Sequence, residues 1–152
     1  MNPQGAQNYL RTRVFTATPE QLQMMLYDGA IRFAEQARPA LEKQDWETSY
    51  NMISRAQRII TELTCTLKRD LFPELCERLA GLYNYVYRKL VEANVDHKVA
   101  ALDEALKILR YQRETWAMLM DQLGKQRASN VARTLDLPSP SPRMEASISM
   151  QG

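Results

Sequence analysis

One histidine, 2 cysteines and 5 glycines in 152 residues leave this chain short of the groups most catalytic and metal sites are built from. A carboxylate-bridged metal centre in a helical bundle takes a Glu-x-x-His pair from each of two helices. The lone His97 has no Glu three positions before it and reads as an exposed helix-start residue. Gly-rich phosphate loops, Gly-x-Ser-x-Gly elbows and Cys-x-x-Cys pairs are all missing, so no enzyme and no cofactor is expected. Charge of one sign is scarce too: the formal net charge is +2, carried by the excess of Lys and Arg after residue 124, and nothing steers residues 1–124 toward nucleic acid. No apolar run approaches the ~18 residues of a membrane span, and the opening MNPQGAQNYLRTR lacks a signal peptide's apolar stretch, so a cytoplasmic chain is expected. Cys65 and Cys76 flank a turn near residue 70. Two cysteines make no disulfide framework in a reducing compartment, so both read as small buried or half-buried thiols.

What the chain does have is helical period. Few glycines and 45% hydrophobic residues point to an all-α protein long enough for one core without disulfides or metals. Residues 1–15 read as an arm with an apolar edge of Tyr9, Leu10, Val14 and Phe15. Thr18-Pro-Glu-Gln21 is a capping-box pattern with Pro in the first helical position, and it starts the first bundle helix. Leu22, Met25, Leu26, Gly29, Ala30, Phe33, Ala37 and Leu41 form its inner face, and Pro39 is expected to kink or fray its last turn. Asp45 caps a second helix with Trp46, Tyr50, Ile53, Ala56, Gln57, Ile60, Leu63 and Leu67 on one stripe. Pro73 opens a third, striped by Leu75, Leu79, Leu82, Tyr83, Val86, Leu90 and Ala93. Asp96 caps a fourth, running from Leu102 through Trp116 to a stop at Gly124. Four helices of roughly 33–40 Å joined by short connections predict an antiparallel up-and-down four-helix bundle over residues 16–124. Residues 125–152, with Ser-Pro repeats and no period, are expected to be a disordered tail.

Without a catalytic motif, surface recognition remains. The chain holds 8 Met and 7 Tyr, with Met24, Met25 and Tyr27 together on the first bundle helix. Methionine fills irregular cores and also suits surfaces that take varied apolar partners, and spacing alone does not separate the two uses. Met24 and Tyr27 fall beside the 22-26-29-33 seam, which suggests an apolar strip that a partner segment docks on.

Several separated blocks carry a resemblance. TATPEQL at 16–22, MLYDGAIRF at 25–33, Ala56-Gln-Arg-Ile-Ile-Thr-Glu-Leu63, Leu82-Tyr83 and Ala93-Asn94 closely resemble the flagellin-specific export chaperones of the FliS family, in order, over about residues 8–123. The resemblance implies a helical bundle that binds the disordered C-terminal segment of flagellin, prevents premature polymerisation and hands it to the export gate protein FlhA. It also implies an N-terminal arm that flagellin displaces, with Tyr9 and Leu10 matching the arm's apolar positions. Leu26, Tyr27, Asp28, Gly29 and Ile31 match one family block, Gln57 and Ile60 a second, and Tyr83 a third. The flagellin-binding set expected on this basis is Met24, Leu26, Tyr27, Asp28, Ile31 and Gln57, with Tyr27 and Met24 facing the ligand. Gly29 permits close helix approach and Asp28 gives polar order at a seam, or both are purely architectural. On this reading Tyr27→Asp weakens flagellin binding and leaves helix content intact. The turn over Lys68–Leu75 lacks the glycine-bearing acidic turn usual in relatives. The runner-up reading is a self-associating helical scaffold, a weak homodimer through the same strip.

Overall fold

The computed structural model describes residues 3–135, all helix apart from short connections: α1 (Pro3–Thr16), α2 (Pro19–Glu42), α3 (Trp46–Cys65), α4 (Pro73–Asp96) and α5 (Val99–Thr134). Helix starts follow the local chemistry. The Gln21 N–H donates to Thr18 Oγ1 at 3.2 Å while the Thr18 N–H donates to Gln21 Oε1 at 3.0 Å, completing the capping box, with Pro19 behind it. The Thr48 N–H donates to Asp45 Oδ1 at 3.2 Å, and Pro73 stands in the first turn of α4. Lys43 and Gln44 reverse the chain after α2, with Gln44 at a φ of 62°.

The chain divides into two compact units, residues up to Trp116 and from Ala117 on. In the first, α2, α3, α4 and α5 form an antiparallel four-helix bundle. The core is built from Tyr27, Ala30, Ala34, Ala37 and Leu41 of α2, Ile53, Ala56, Ile60 and Leu63 of α3, Tyr83, Val86, Leu90 and Ala93 of α4, and Ala101, Leu102, Ala105, Leu106 and Leu109 of α5. Small residues on α2 let α3 come close. A Cβ built on Gly29 would meet Ile59 Cδ1 at 3.1 Å, so Gly29 does serve close approach. In the second unit α5 continues as helix, with an ion pair of 3.3 Å between Lys125 and Asp121.

Four expectations are corrected. Gly124 does not stop α5: among the described residues no glycine takes a positive φ, and Lys125, Gln126, Arg127 and Ala128 are good helix formers that carry the helix to Thr134. The tail expected from residue 125 therefore begins no earlier than Leu135, and the rest of it lies outside the described residues. Asp96 is the last residue of α4 rather than a cap for α5, because the chain turns at His97, left-handed at φ 55°. Pro39 neither frays nor ends α2: its carbonyl accepts the Lys43 N–H at 3.0 Å and the helix closes at Glu42. Trp46, Tyr50 and Leu75, placed on inner stripes by spacing, are exposed. Trp46 stacks on the His97 ring at 3.9 Å instead, where α3 begins and α4 ends.

Ion pairs fix the α2–α5 seam. Arg113 Nε donates to Asp28 Oδ1 at 2.7 Å, Arg110 Nη2 to Glu35 Oε1 at 3.0 Å, and Arg38 reaches Asp103 with two bonds of 2.8 and 3.1 Å while also pairing with Glu42. The bond from Arg38 holds the Asp103 carboxyl below its ordinary value, and Lys89 does the same for Glu92 across a shorter span. A carboxyl with a lower pKa in the folded chain adds stability that is complete above the unfolded value, near 4, and is lost as pH falls through the folded one. Thermal unfolding is expected to change little from about pH 5 to 7 and to shift steadily lower as pH drops below about 4. High salt is expected to shrink that drop, because these pairs lie at the surface. A pH series of melting curves at low and high salt measures both.

Candidate functional site

Beneath one face of the bundle lies a polar pair in an apolar core. The Tyr27 and Tyr83 hydroxyls sit 2.5 Å apart, with the two residues 2% and 1% exposed, so each ring is core and each hydroxyl has a partner. Gln23 Nε2 donates to Tyr83 Oη at 3.4 Å, and Thr66 Oγ1 reaches Gln23 Oε1 at 3.3 Å, which ties the start of α2 and the end of α3 to the middle of α4. Burial, with the bond from Tyr27, pushes the Tyr83 phenol well above its ordinary pKa, so it stays neutral.

Tyr83 also forms the floor of a surface groove of about 550 Å³ between α3 and α4. One wall is Ile60, Thr61, Thr64 and Cys65 of α3; the other is Ala80, Gly81, Asn84 and Tyr87 of α4. None of these residues carries a charge. Helical spacing extends the same face beyond the groove. Val91 and Val95 follow Tyr87 at steps of four, and Tyr50 follows Trp46 one turn on; all four are exposed apolar side chains. Because Trp46 lies level with His97 and Cys65 with Ala80, Tyr50 is level with the end of α4 near Val95. The face from Cys65 to Tyr50, with Thr61, Gln57 and Ser54 along its α3 edge, is then about 22 Å long, the length of four helical turns.

The residues singled out from sequence do not converge on this groove. Tyr27, expected to face the ligand, is buried beside Tyr83, and its hydroxyl finds a partner 56 residues away. Asp28 pairs with Arg113, and Met24 and Ile31, one turn to either side of it, share its α5-facing edge of α2. Met24 is half-buried there, and Ile31 packs on the core. Leu26 packs on the core too, on the side of Gly29 that meets α3. Gln57, half-buried, shares an edge of α3 with Thr61 and Thr64 and so borders the groove. Tyr9 and Leu10 are 67% and 51% exposed on α1, a helix with no buried residue. Groove residues such as Thr61, Gly81 and Tyr87 carried no sequence signal, since small and hydroxyl side chains on a helix edge read as ordinary surface. His97 and the cysteines form no constellation: both thiols are free, Cys65 exposed and Cys76 buried, and among the described residues no His, Cys, Asp and Glu cluster is placed to hold a metal. No described helix is long and apolar enough to cross a membrane.

Fold and groove define a helical-bundle protein with an uncharged groove between α3 and α4. The family profile of flagellar protein FliS matches residues 1–123. Similar chains include the flagellar secretion chaperone FliS of Bacillus subtilis (strain 168), 36% identical over 126 residues covering 83% of this chain and 92% of the relative. The flagellar secretion chaperone FliS of Salmonella typhimurium is 32% identical over 115 residues, covering 75% and 85% respectively. A crystal structure of a flagellar chaperone from bacteria shares the fold with a TM-score of 0.65 at 19% identity, covering 78% of this chain and 97% of that one. This chain belongs to the FliS family of flagellar secretion chaperones.

Proposed function

We propose that this chain binds the disordered C-terminal segment of flagellin along the α3–α4 face, keeps it from polymerising in the cytoplasm, and presents it for export. The observation that carries the reading is the uncharged groove continued by exposed Tyr50, Tyr87, Val91 and Val95. A disordered ligand loses conformational entropy on docking, and a long apolar track is what recovers it. A groove between two helices suits an occupant seated as an amphipathic helix, and about 22 Å takes roughly four turns of one. Gln57 borders its path. Tyr27 acts from below by fixing Tyr83, the groove floor. Met24, Leu26, Asp28 and Ile31 lie on other faces of α2 and are not contacts of this groove. On this reading the protein works by sequestration, without turnover or a cofactor. Exposed Tyr9 and Leu10 leave α1 free to engage a partner, and the export gate protein FlhA is the partner proposed for it.

The two thiols supply the test. Cys65 lines the groove and is exposed, while Cys76 is buried, so alkylation of Cys65 reports occupancy and Cys76 serves as an internal reference. Titration with a flagellin C-terminal segment of about 40 residues is expected to show saturable 1:1 binding and to slow Cys65 alkylation at least tenfold, with flagellin lacking that segment doing neither. Binding that leaves Cys65 equally reactive would move the site off this face. The exposed apolar residues of α1 favour one second reading, a homodimer through that helix. Sedimentation showing concentration-dependent dimers that the flagellin segment does not dissociate would support it.

A further inference from the structure

Resting on the reading of the α3–α4 groove as the flagellin site, we propose that Gly81 determines specificity there. It sets how closely a bound helix approaches the groove floor, and it selects segments that present a small side chain at that point. Of the three glycines within α2, α4 and α5, Gly29, Gly81 and Gly124, the last two are open to solvent, and Gly81 is the one that stands in the groove. Gly29 has a packing reason in the free chain, since a Cβ there would press on Ile59 at 3.1 Å. Gly81 has none: a Cβ there would meet nothing within 4 Å, and the residue is exposed in the interior of α4. Its φ is not positive, so the backbone does not call for glycine either. A glycine in a helix interior weakens the helix relative to alanine, and at Gly81 nothing inside the molecule compensates. Gly124 is equally open, so it is the place of Gly81 in the groove that points to an occupant. Gly81 stands in the groove wall beside Ala80 and opposite the Thr64 and Cys65 wall, where any side chain would project into the space an occupant fills. Backbone-level approach between helices is the general use of a small residue at a packing contact.

Two substitutions test this, because affinity and stability should move in opposite directions, which a merely structural glycine would not produce. Gly81→Ala is expected to raise the melting temperature by about 2–4 °C and weaken the flagellin C-terminal segment a few-fold. Gly81→Leu is expected to melt no lower than the parent and to weaken the segment at least tenfold, with Cys65 alkylation no longer protected at concentrations that saturate the parent protein. Gly81→Leu binding within twofold of the parent would overturn the proposal and leave the groove reading standing. Loss of stability in Gly81→Ala would also overturn it, by showing that the glycine serves packing. A parent protein that does not bind the segment would remove the groove reading, and this inference with it.

Discussion

Tyr27→Asp is expected to leave the bundle unfolded or nearly so, and with it every binding activity. The ring is 2% exposed and packs among Ala30, Val86 and their neighbours in the core. Removing a buried aromatic side chain from such a site costs about 3–5 kcal/mol, and the carboxylate left behind must either stay charged in an apolar core or take up a proton. Against a total stability of roughly 5–15 kcal/mol, that loss together with the buried carboxylate is a large fraction of what holds the fold. The subtler variants separate ring from hydroxyl. Tyr83→Phe removes the partner that holds the Tyr27 hydroxyl and is expected to cost about 1–3 kcal/mol. Tyr27→Phe leaves Tyr83 the Gln23 amide at 3.4 Å and is expected to cost less, about 1 kcal/mol. The double substitution should cost less than the sum of the two, because no buried hydroxyl is then left over. Urea denaturation of the four proteins measures the cycle. Helical circular dichroism of Tyr27→Asp, expected to collapse, decides whether Tyr27 belongs to the core or to the ligand face.

That case also shows which parts of the molecule are readable from sequence. Three helix starts were, because a capping box at Thr18, a carboxylate at Asp45 and a proline at Pro73 act within three or four residues of themselves, while the start of α5 was misplaced at Asp96. The inner stripes of Ile53, Ala56, Ile60 and Leu63, or Val86, Leu90 and Ala93, were readable for the same reason: period is local. Period names a face without saying how much of it the neighbours cover, so Trp46, Tyr50 and Leu75 fell on stripes and proved exposed. Helix ends were less readable. His97 takes the left-handed conformation that ends α4, a role usually read from glycine, while Gly124 sits in an uninterrupted helix. The site was least readable, because it belongs to a pair of helices. Thr61 and Gly81 become neighbours across a groove only once α3 and α4 pack, and the Tyr27–Tyr83 bond joins residues 56 positions apart.

Tyr87→Glu is expected to abolish flagellin binding while leaving the fold intact, the reverse of Tyr27→Asp. Tyr87 is 39% exposed and lines the groove. Glutamate is a good helix former at an exposed position in α4, so the melting temperature should stay within about 2 °C of the parent. Binding is another matter. Interfaces depend most on tyrosine, tryptophan and arginine side chains that become fully desolvated, as the Tyr87 ring does under a docked helix, and truncating one removes about 2–4 kcal/mol. Placing a carboxylate there also leaves it desolvated against an apolar occupant, since none of the groove residues carries a compensating positive charge. The combined effect is a fall in affinity of at least 30-fold, and a Tyr87→Phe control, which keeps the ring, should stay within about threefold. Titration calorimetry with the flagellin C-terminal segment measures both variants. Parent-like affinity in Tyr87→Glu would place the segment elsewhere on the bundle, with the α2–α5 edge around Met24 as the next face to test.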